Sequence, residues 1–369
     1  MRTKTIARLT AVGFVVAATA LSACAPQEST GGGSGKRKFT VALARATLTP
    51  GQEIYEYAVP KQLGYFAEED LNVGVVKADG STAALQVLAS RSADAAFASA
   101  PNIASAVDKG TPVKGYAGAT VVWPYYIGVS SDSKIKRVED LKGKTIGVIS
   151  LASASYSDLV ATLKSAGLTT KDVEIVPVGT GAPAATALKS GKVDAVDTYV
   201  DGFALMEDNG VKVRMLKRPK LMDELFSVTF ATRDDELKDK KSRTALTGFT
   251  RAAYKGLIYS ATHPEEALKM GCKEFPGAFE GCDDPSGKKF KDTLEVLKLD
   301  IAGAIPEGEK DPTKWGDWLD IPNDRWESVV TFAEDGEMTK KKIKVSDVWD
   351  NSLMKDIYNF DRKKVIEKR

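Results

Sequence analysis

The sequence predicts an α/β protein built from two lobes, each a sheet flanked by helices, and two observations support that fold class. Segments with the apolar pattern of strands alternate with helical segments from Phe39 onward, which is typical of an α/β sheet. A helix–turn–strand segment around Leu88 and Asp94 also recurs, at a shift of 100 residues, around Leu188 and Asp194. Two copies of one unit indicate two lobes of similar design.

The elements can be placed in order along the chain. An apolar run at residues 39–44 predicts a buried first strand, and residues 145–149 predict its counterpart in the second half. Residues 119–129 and 226–232 are expected to be extended crossings between the lobes, outward and return. Helical patterns cover residues 53–63, 82–90, 155–166, 183–189 and 241–261.

These elements divide the chain into segments with separate roles. Residues 39–127 and 227–369 are expected to form the first lobe, which includes a set of C-terminal helices, and residues 128–226 the second lobe. Residues 1–23 are expected to be a signal peptide. Residues 24–38 are expected to be a modified cysteine and a linker, whose Gly and Ser content is typical of a flexible connection.

The N-terminus has the order of features found in an export signal. Three basic residues, Arg2, Lys4 and Arg8, precede an apolar run over residues 9–21, which is too short to anchor stably across a bilayer. Leu-Ser-Ala then leads directly to Cys24, which resembles the lipobox of bacterial lipoproteins. That resemblance implies cleavage before Cys24, a lipid such as palmitate on its thiol, and a location outside the cytoplasm on the bacterial cell membrane. An ordinary secretory signal with a chance cysteine is the alternative.

The charge balance argues against nucleic acid as a partner. The chain of 369 residues has 52 basic and 50 acidic residues, so it lacks the excess of positive charge that nucleic-acid binding needs. With 43% hydrophobic residues it can form sizeable cores, and its length suggests two domains. No long apolar stretch follows Cys24, so no later segment is expected to span a membrane.

The other two cysteines predict a disulfide. Nine residues, Gly and Pro among them, separate Cys272 from Cys282, and outside the cytoplasm such a pair is expected to close a small loop. A metal or redox pair is the alternative, but the spacing is not Cys-x-x-Cys and the chain has a single histidine, His263. We therefore expect neither a metal nor a cofactor.

Several motifs carry a resemblance to a known family. They are KQLGYFAEEDLNV at residues 61–73, GSTAALQVL at 80–88, VEDLKGKTIGV at 138–148 and HPEEA at 263–267, with Asp324-Arg-Trp326 near the C-terminus. In combination they resemble the solute-binding proteins of ABC importers, in particular the nitrate/sulfonate/taurine and thiamine-pyrimidine family. The resemblance implies a two-lobed periplasmic-binding-protein fold of type II, in which two hinge crossings let the lobes close on a small molecule.

The same resemblance implies partners. A solute-binding protein delivers its ligand to a membrane permease, whose ATPase subunit is a separate chain. We expect a monomer that is held at the membrane by its lipid anchor.

The candidate site follows from a general rule about open α/β sheets. Ligands bind beyond the carboxyl ends of the strands, where helix N-termini present free N–H groups. Arg45 directly follows the first strand and could bind a carboxylate or sulfonate through two hydrogen bonds, although an ordinary surface arginine is the alternative. The other candidates are polar or aromatic residues at strand ends, helix starts or the outward crossing: Tyr55, Ser81, Thr82, Ser99, Asn102, Trp123, Tyr126, Ser150, Ser153, Ser155, Tyr156, Asp197 and Tyr199.

Each of these candidates has a structural alternative. The hydroxyl groups could cap helices, and several of the aromatic residues could belong to the hinge or the core. Asp201 ends the same predicted strand as Asp197 and Tyr199. Residues 179–183, Gly-Thr-Gly-Ala-Pro, form a tight turn but lack the spacing and the lysine of a phosphate-binding loop.

An enzyme is the alternative of another class. The yeast-type pyrimidine synthases of this family are similar in scaffold, but they carry a cysteine-rich iron motif that this sequence lacks. Any catalytic histidine would have to be His263, which lies at a predicted helix start. We therefore expect a binding protein for a small polar, anionic and possibly aromatic molecule, such as a sulfonate or an aromatic carboxylate. A thiamine-precursor pyrimidine or another heterocycle is the second candidate ligand, and a ligand-sensing lipoprotein is an alternative role.

Overall fold

The computed structural model describes residues 35–368. The predicted signal peptide, Cys24 and most of the predicted linker lie outside the described residues. The strands, in chain order, are β1 (Arg37–Leu43), β2 (Leu71–Lys77), β3 (Ala95–Ser99), β4 (Val113–Gly118), β5 (Tyr125–Ser130), β6 (Thr145–Val148), β7 (Glu174–Pro177), β8 (Ala195–Tyr199), β9 (Val213–Met215) and β10 (Val228–Arg233).

Helices connect and cover these strands. They are a π-helix (Glu53–Ala58), α1 (Val59–Gln62), α2 (Tyr65–Glu68), α3 (Gly80–Ala89), α4 (Ala100–Asp108), α5 (Ala154–Ser165), α6 (Ala182–Lys189), α7 (Val200–Asp208), α8 (Lys240–Thr262), α9 (Pro264–Glu274), α10 (Lys288–Ala302), α11 (Asn323–Asp335), α12 (Val345–Val348), α13 (Met354–Ile357) and α14 (Arg362–Ile366). Single 3₁₀ turns lie at Val138–Leu141, Thr170–Asp172, Lys220–Asp223 and Pro312–Lys314.

The strands form two sheets with the same internal order. The first has the order β2-β1-β3-β10-β4 and the second β7-β6-β8-β5-β9, with five strands in each. In the first sheet β1 runs parallel to β2 and β3, and β10 is inserted antiparallel between β3 and β4. In the second sheet β6 is parallel to β7 and β8, and β5 is antiparallel between β8 and β9. The expected α/β architecture of two helix-flanked sheets is confirmed.

The two predicted crossings take part in these sheets. Residues 119–124 link the sheets, whereas the rest of the outward crossing is β5, the antiparallel strand of the second sheet. The return crossing is β10, the antiparallel strand of the first sheet. Extended backbone leaves its N–H and C=O groups unpaired, and each crossing pairs them by joining the sheet it reaches.

The internal repeat has a physical explanation in the pairing of strands. The Asp94 carboxylate, just before β3, accepts a hydrogen bond of 2.7 Å from the backbone N–H of Thr40 in β1. Asp194, just before β8, does the same for Thr145 in β6 at 2.9 Å. The repeated aspartate therefore fixes the register of the third strand against the first in each sheet.

Helices cover both faces of the first sheet. The side chains of β1 alternate, so that Phe39 and Val41 pack on the face covered by α8, where Phe39 stacks on Phe249 at 4.9 Å between ring centroids. Ala42 faces the other side, where it packs with Leu85 of α3 and the core around Trp326 of α11.

The C-terminal helices pack mainly on the first sheet, around α8. A disulfide joins Cys272 of α9 to Cys282 and closes the loop before α10. α10 also contacts α7 of the second sheet. Across residues 35–368, none of the helices combines the length and apolar character required to cross a bilayer.

Most predicted elements lie within two residues of their observed bounds. The segment predicted as one helix at residues 53–63 is different, because it begins as the π-helix and continues as α1. All six residues of the π-helix are buried. In a π-helix each backbone hydrogen bond spans five residues, one more than in an α-helix. Such turns are often found at functional sites.

Close packing of α8 holds this π-helix in place. A Cβ atom at Gly256 of α8 would overlap the carbonyl oxygen of Tyr55 in the π-helix and lie 2.6 Å from the Pro60 ring. A side chain at position 256 would therefore push α8 away from the segment that leads into the cleft.

We predict that Gly256→Ala lowers the free energy of unfolding by about 1–3 kcal/mol, although alanine has the higher helix propensity, because overpacking against fixed backbone is costly. Urea unfolding measures the change. Gly74→Ala is the control, since a Cβ at Gly74 in β2 meets no atom within 4 Å and should change stability little. An unchanged or raised stability of Gly256→Ala would contradict this account of the packing.

Candidate functional site

A cavity of about 120 Å³ lies where the carboxyl ends of the parallel strands of both sheets face each other; we call it the central cavity. Strand ends and helix starts from the two sheets line it together, as the rule for open α/β sheets predicts. Its walls include Arg45, Glu53, Gly80, Ser81 and Phe97 from the first sheet and its helices, and Tyr125, Ser153, Gly179, Thr180 and Tyr199 from the second.

A second cavity of about 340 Å³ adjoins the first at the link between the sheets; we call it the crossing cavity. Arg45, Gln52, Tyr125 and Tyr199 line both cavities, so these side chains form the partition between them. The remaining polar and aromatic walls of the crossing cavity are Thr120, Trp123, Tyr126, Asp201, Arg218, Ser227 and Asp300.

The two sheets touch across the central cavity. The backbone N–H of Thr82, in α3, donates to the carbonyl oxygen of Ala152 in the second lobe at 3.4 Å. Gly80 allows this approach, since its φ is 83° and a Cβ there would lie 2.8 Å from the same carbonyl oxygen.

Arg45 is the centre of the ionic contacts at the site. Its guanidinium lies 3.6 Å from Asp300 and 4.0 Å from Glu53, and it donates a hydrogen bond to Thr49 Oγ1. It also lies 4.9 Å from the ring centroid of Tyr199, which belongs to the other sheet. Burial alone would lower the pKa of Arg45, but Glu53 and its other anionic neighbours hold that pKa above its usual value.

Carboxyl groups outnumber the cation that they surround. Glu53, Asp201 and Asp300 lie around Arg45, and Glu56 lies beneath them in the π-helix. Burial raises the pKa of each of the four carboxyl groups, most strongly for Glu56 and Asp201, and Asp300 raises the pKa of Asp201 further. Each of these groups is therefore harder to ionise here than in water.

Four predicted residues of the first lobe hold β3 and α4 against the start of α3. The Ser99 N–H donates to Ser81 Oγ at 3.0 Å, and Asn102 Nδ2 donates to Thr82 Oγ1 at 3.1 Å. Of these four residues, Ser81 lines the central cavity. Thr82 and Asn102 line a third cavity, of about 610 Å³, on the outer side of the contact between the lobes. Ser99 lines none of these three cavities.

The serines of the β6–α5 loop bind one another. Ser153 Oγ donates to the Ser150 carbonyl at 2.8 Å and lies 2.7 Å from Ser155 Oγ, which accepts from the Ile149 N–H at 3.0 Å. Only Ser153 of the three lines the central cavity. Ser150 and Ser155 thus stabilise the conformation of the loop through contacts within it.

Two more predicted residues lie behind the walls. Tyr55 is fully buried and donates to Asp300 at 2.7 Å, so it positions a wall residue. Asp197 is fully buried in β8 and lines none of the three cavities. Asp197 shares a face of β8 with Tyr199, which does line the cavities, but it lies two residues further from the strand end and is buried beneath the site.

The aromatic candidates divide between the cavities. Tyr199 lines the central and crossing cavities, Trp123 and Tyr126 line the crossing cavity, and Tyr156 lines the outer one. His263 lies far along the chain, between α8 and α9, where it stacks on Tyr259 at 4.7 Å.

A family model described as NMT1/THI5 like matches residues 52–267, which is more than half of the chain. The chain belongs to the NMT1/THI5-like family.

Relatives of this NMT1/THI5-like chain include two binding proteins. It is 26% identical over 282 residues to the formylaminopyrimidine-binding protein of Halalkalibacterium halodurans, covering 74% of this chain and 82% of the relative. It is 24% identical over 280 residues to the riboflavin-binding protein of Chloroflexus aurantiacus, covering 74% and 78%.

A solved structure shows the fold. The alkanesulfonate-binding protein of Xanthomonas axonopodis pv. citri, bound to MOPS, superposes with a TM-score of 0.60 at 16% identity, covering 85% of this chain and 98% of that one. This likeness confirms the predicted two-lobed periplasmic-binding-protein fold.

The NMT1/THI5-like chain has site residues that the sequence patterns did not identify. Gln52 directly precedes the π-helix, Glu53 begins it, and Asp300 is in α10, about 250 residues later. No local pattern marks Asp300, because its place beside Arg45 depends on the packing of α10. Within residues 35–368, no cluster of three His, Cys, Asp or Glu side chains is arranged to hold a metal.

Asp197 allows a test of the electrostatics beneath the site. Neither of its carboxylate oxygens has a hydrogen-bond partner, and burial, together with the nearby Asp158, raises its pKa well above the usual value. Asp158 itself accepts a hydrogen bond of 2.5 Å from Trp123 Nε1. Between the unfolded and folded pKa of Asp197 the native state binds more protons, so native stability falls as the pH rises through that window.

We predict that Asp197→Asn becomes progressively more stable than the parent protein as the pH rises from 4 towards 8, by up to about 1.4 kcal/mol for each pH unit within that window. Urea unfolding at several pH values measures the difference. Asp283→Asn, at an exposed position, should follow the parent curve. A constant difference in stability between Asp197→Asn and the parent across this range would show that titration of Asp197 does not contribute to the pH dependence of stability.

Proposed function

We propose that this protein is the solute-binding component of an ABC importer, which captures a small polar molecule between its lobes and delivers it to a membrane permease. The observation that supports this most directly is the central cavity, to which strand ends and helix starts of both sheets contribute. A ligand that contacts both walls stabilises the closed arrangement and shifts the population towards it. The two relatives and the solved structure described above are binding proteins by name, which agrees with this role.

Two ligand classes have support from different residues. An anion such as a sulfonate or an aromatic carboxylate could use Arg45, and the similar alkanesulfonate-binding protein supports this class. A thiamine-precursor pyrimidine or another heterocycle could donate hydrogen bonds to the carboxyl groups around Arg45. The formylaminopyrimidine-binding and riboflavin-binding relatives support the second class.

A binding role explains the site better than catalysis. The two cysteines among the described residues are joined to each other, and His263 lines none of the three cavities. Delivery of the closed form to a receptor, in place of a permease, would use the same cleft. Genes for a permease and an ATPase beside this one would favour import.

Capture by both lobes can be tested with one residue from each. A thermal-shift screen with sulfonates, nitrate, aromatic acids, pyrimidines and riboflavin identifies a ligand, which at 100 times its dissociation constant stabilises the protein by about 2.7 kcal/mol. We predict that Tyr199→Ala weakens binding of that ligand at least about tenfold, and that Arg45→Ala does so when the ligand is an anion, because the two side chains line both cavities from opposite lobes.

The matched control is Arg137→Ala, an exposed arginine whose partners are the nearby Glu139 and Asp140. Its ligand affinity should equal that of the parent. Small-angle scattering should also show a smaller radius of gyration with ligand. Unchanged affinity in both cleft variants would remove the cleft from the proposed function.

We also propose that Cys24 carries the lipid that holds the protein outside the cytoplasm at the cell membrane. This proposal is based on the lipobox-like sequence. We predict that Cys24→Ser abolishes labelling with a palmitate analogue and moves the protein from the membrane to the soluble fraction. Retained membrane association without label would contradict a lipid anchor at this cysteine.

A further inference from the structure

The cations at the walls of the central and crossing cavities already have partners. Arg45 is paired with Glu53 and Asp300. Arg218 lies 2.8 Å from Asp223 and donates to the Trp123 carbonyl at 2.7 Å. The charge of each guanidinium is therefore already balanced by at least one carboxylate of the protein.

One carboxylate in the walls of the same cavities has an oxygen atom without a partner. Asp201 is the second residue of α7, which directly follows β8; it lines the crossing cavity and is 6% exposed. Its Oδ2 atom has no hydrogen-bond partner. A buried acceptor without a partner is costly, and a donor from a ligand would remove that cost.

The surroundings of Asp201 determine which ligand suits it. The charged groups that act on it are Asp300 from α10, Glu53 from the π-helix and Arg45 after β1. Gln52 lies in the same wall with Nε2 unpartnered, and the rings of Tyr125, Tyr126 and Tyr199 complete the cavity. A planar molecule with an N–H donor would satisfy the carboxylate and lie against these rings.

We propose that Asp201 is the residue that selects the ligand, by accepting a hydrogen bond from an N–H group on a positively charged or readily protonated nitrogen. In this arrangement Arg45 is the internal counter-ion of Glu53 and Asp300. The inference rests on the proposed solute-binding function and names the ligand class of the same cleft. It favours the nitrogen-containing class over anions.

The surroundings of Asp201 link the binding of a cationic ligand to the release of a proton. Burial and the neighbouring Asp300 raise the pKa of Asp201, so its carboxyl group is harder to ionise than that of a free aspartate. A cationic ligand favours the ionised carboxylate, so ligand binding and loss of the proton are linked. Affinity for such a ligand should therefore increase with pH when it is measured from pH 5 to pH 8.

Calorimetric titration of the protein with three probes tests the proposal: benzylamine, which stays protonated over this pH range, 4-aminopyrimidine, and benzenesulfonate as the anion of similar size. We expect benzylamine and 4-aminopyrimidine to bind the parent protein and to lose at least about tenfold in affinity in Asp201→Asn. Asp208→Asn, at the exposed end of the same helix, is the control and should bind like the parent.

A second measurement needs no variant. Titration of benzylamine into the parent protein at pH 6, in two buffers of different ionisation enthalpy, should reveal proton release. No release, or an affinity that does not rise with pH, would overturn the role of Asp201.

The remaining outcomes are also decisive. If benzenesulfonate binds and Asp201→Asn leaves its affinity intact while Arg45→Ala removes it, the inference fails and the solute-binding function stands. Failure of both nitrogen probes at millimolar concentration overturns the inference whether or not the sulfonate binds. Failure of the whole screen, without closure in scattering, would count against the proposed function itself.

Discussion

The buried ionic contacts of Arg45 are the interaction on which the cleft depends. One guanidinium and a tyrosine ring from the opposite sheet lie in the partition between the two cavities, and four carboxyl groups lie around and beneath the guanidinium. Charges in such a place are tolerated only when they are paired or protonated. Arg45 can balance only part of the negative charge that these carboxyl groups carry when ionised. An added positive charge, either a proton or a cationic ligand, would therefore stabilise the empty site.

The elements that supply these groups come from distant parts of the chain. The π-helix brings Glu53, α10 brings Asp300, and β8 with α7 brings Tyr199 and Asp201. α10 contacts α7 of the second sheet as well as the helices on the first sheet, so the position of Asp300 is coupled to the approach of the lobes. Opening of the cleft would therefore change the electrostatic surroundings of Arg45 and Asp201 together.

The backbone geometry at two glycines sets how closely the parts can approach. Gly80 allows the start of α3 to meet the Ala152 carbonyl of the second lobe, and Gly256 allows α8 to meet the backbone of the π-helix. Both contacts are made to backbone atoms, which cannot move aside as flexible side chains can. The dimensions of the cleft are thus fixed by close backbone packing as well as by the groups that line it.

The sequence alone determined the α/β class, most element bounds and the duplicated unit, because apolar periodicity and the strand-opening aspartates Asp94 and Asp194 act locally. It also placed Arg45, Ser81, Ser153 and Tyr199 at strand ends or helix starts, where the structure has the central cavity. Only the tertiary structure decided that Ser150, Ser155 and Asp197 are turned inward, that residues 53–58 form a π-helix, and that Asp300 lies beside Arg45. These outcomes depend on contacts between residues far apart in the chain, which leave no periodic signal in the sequence.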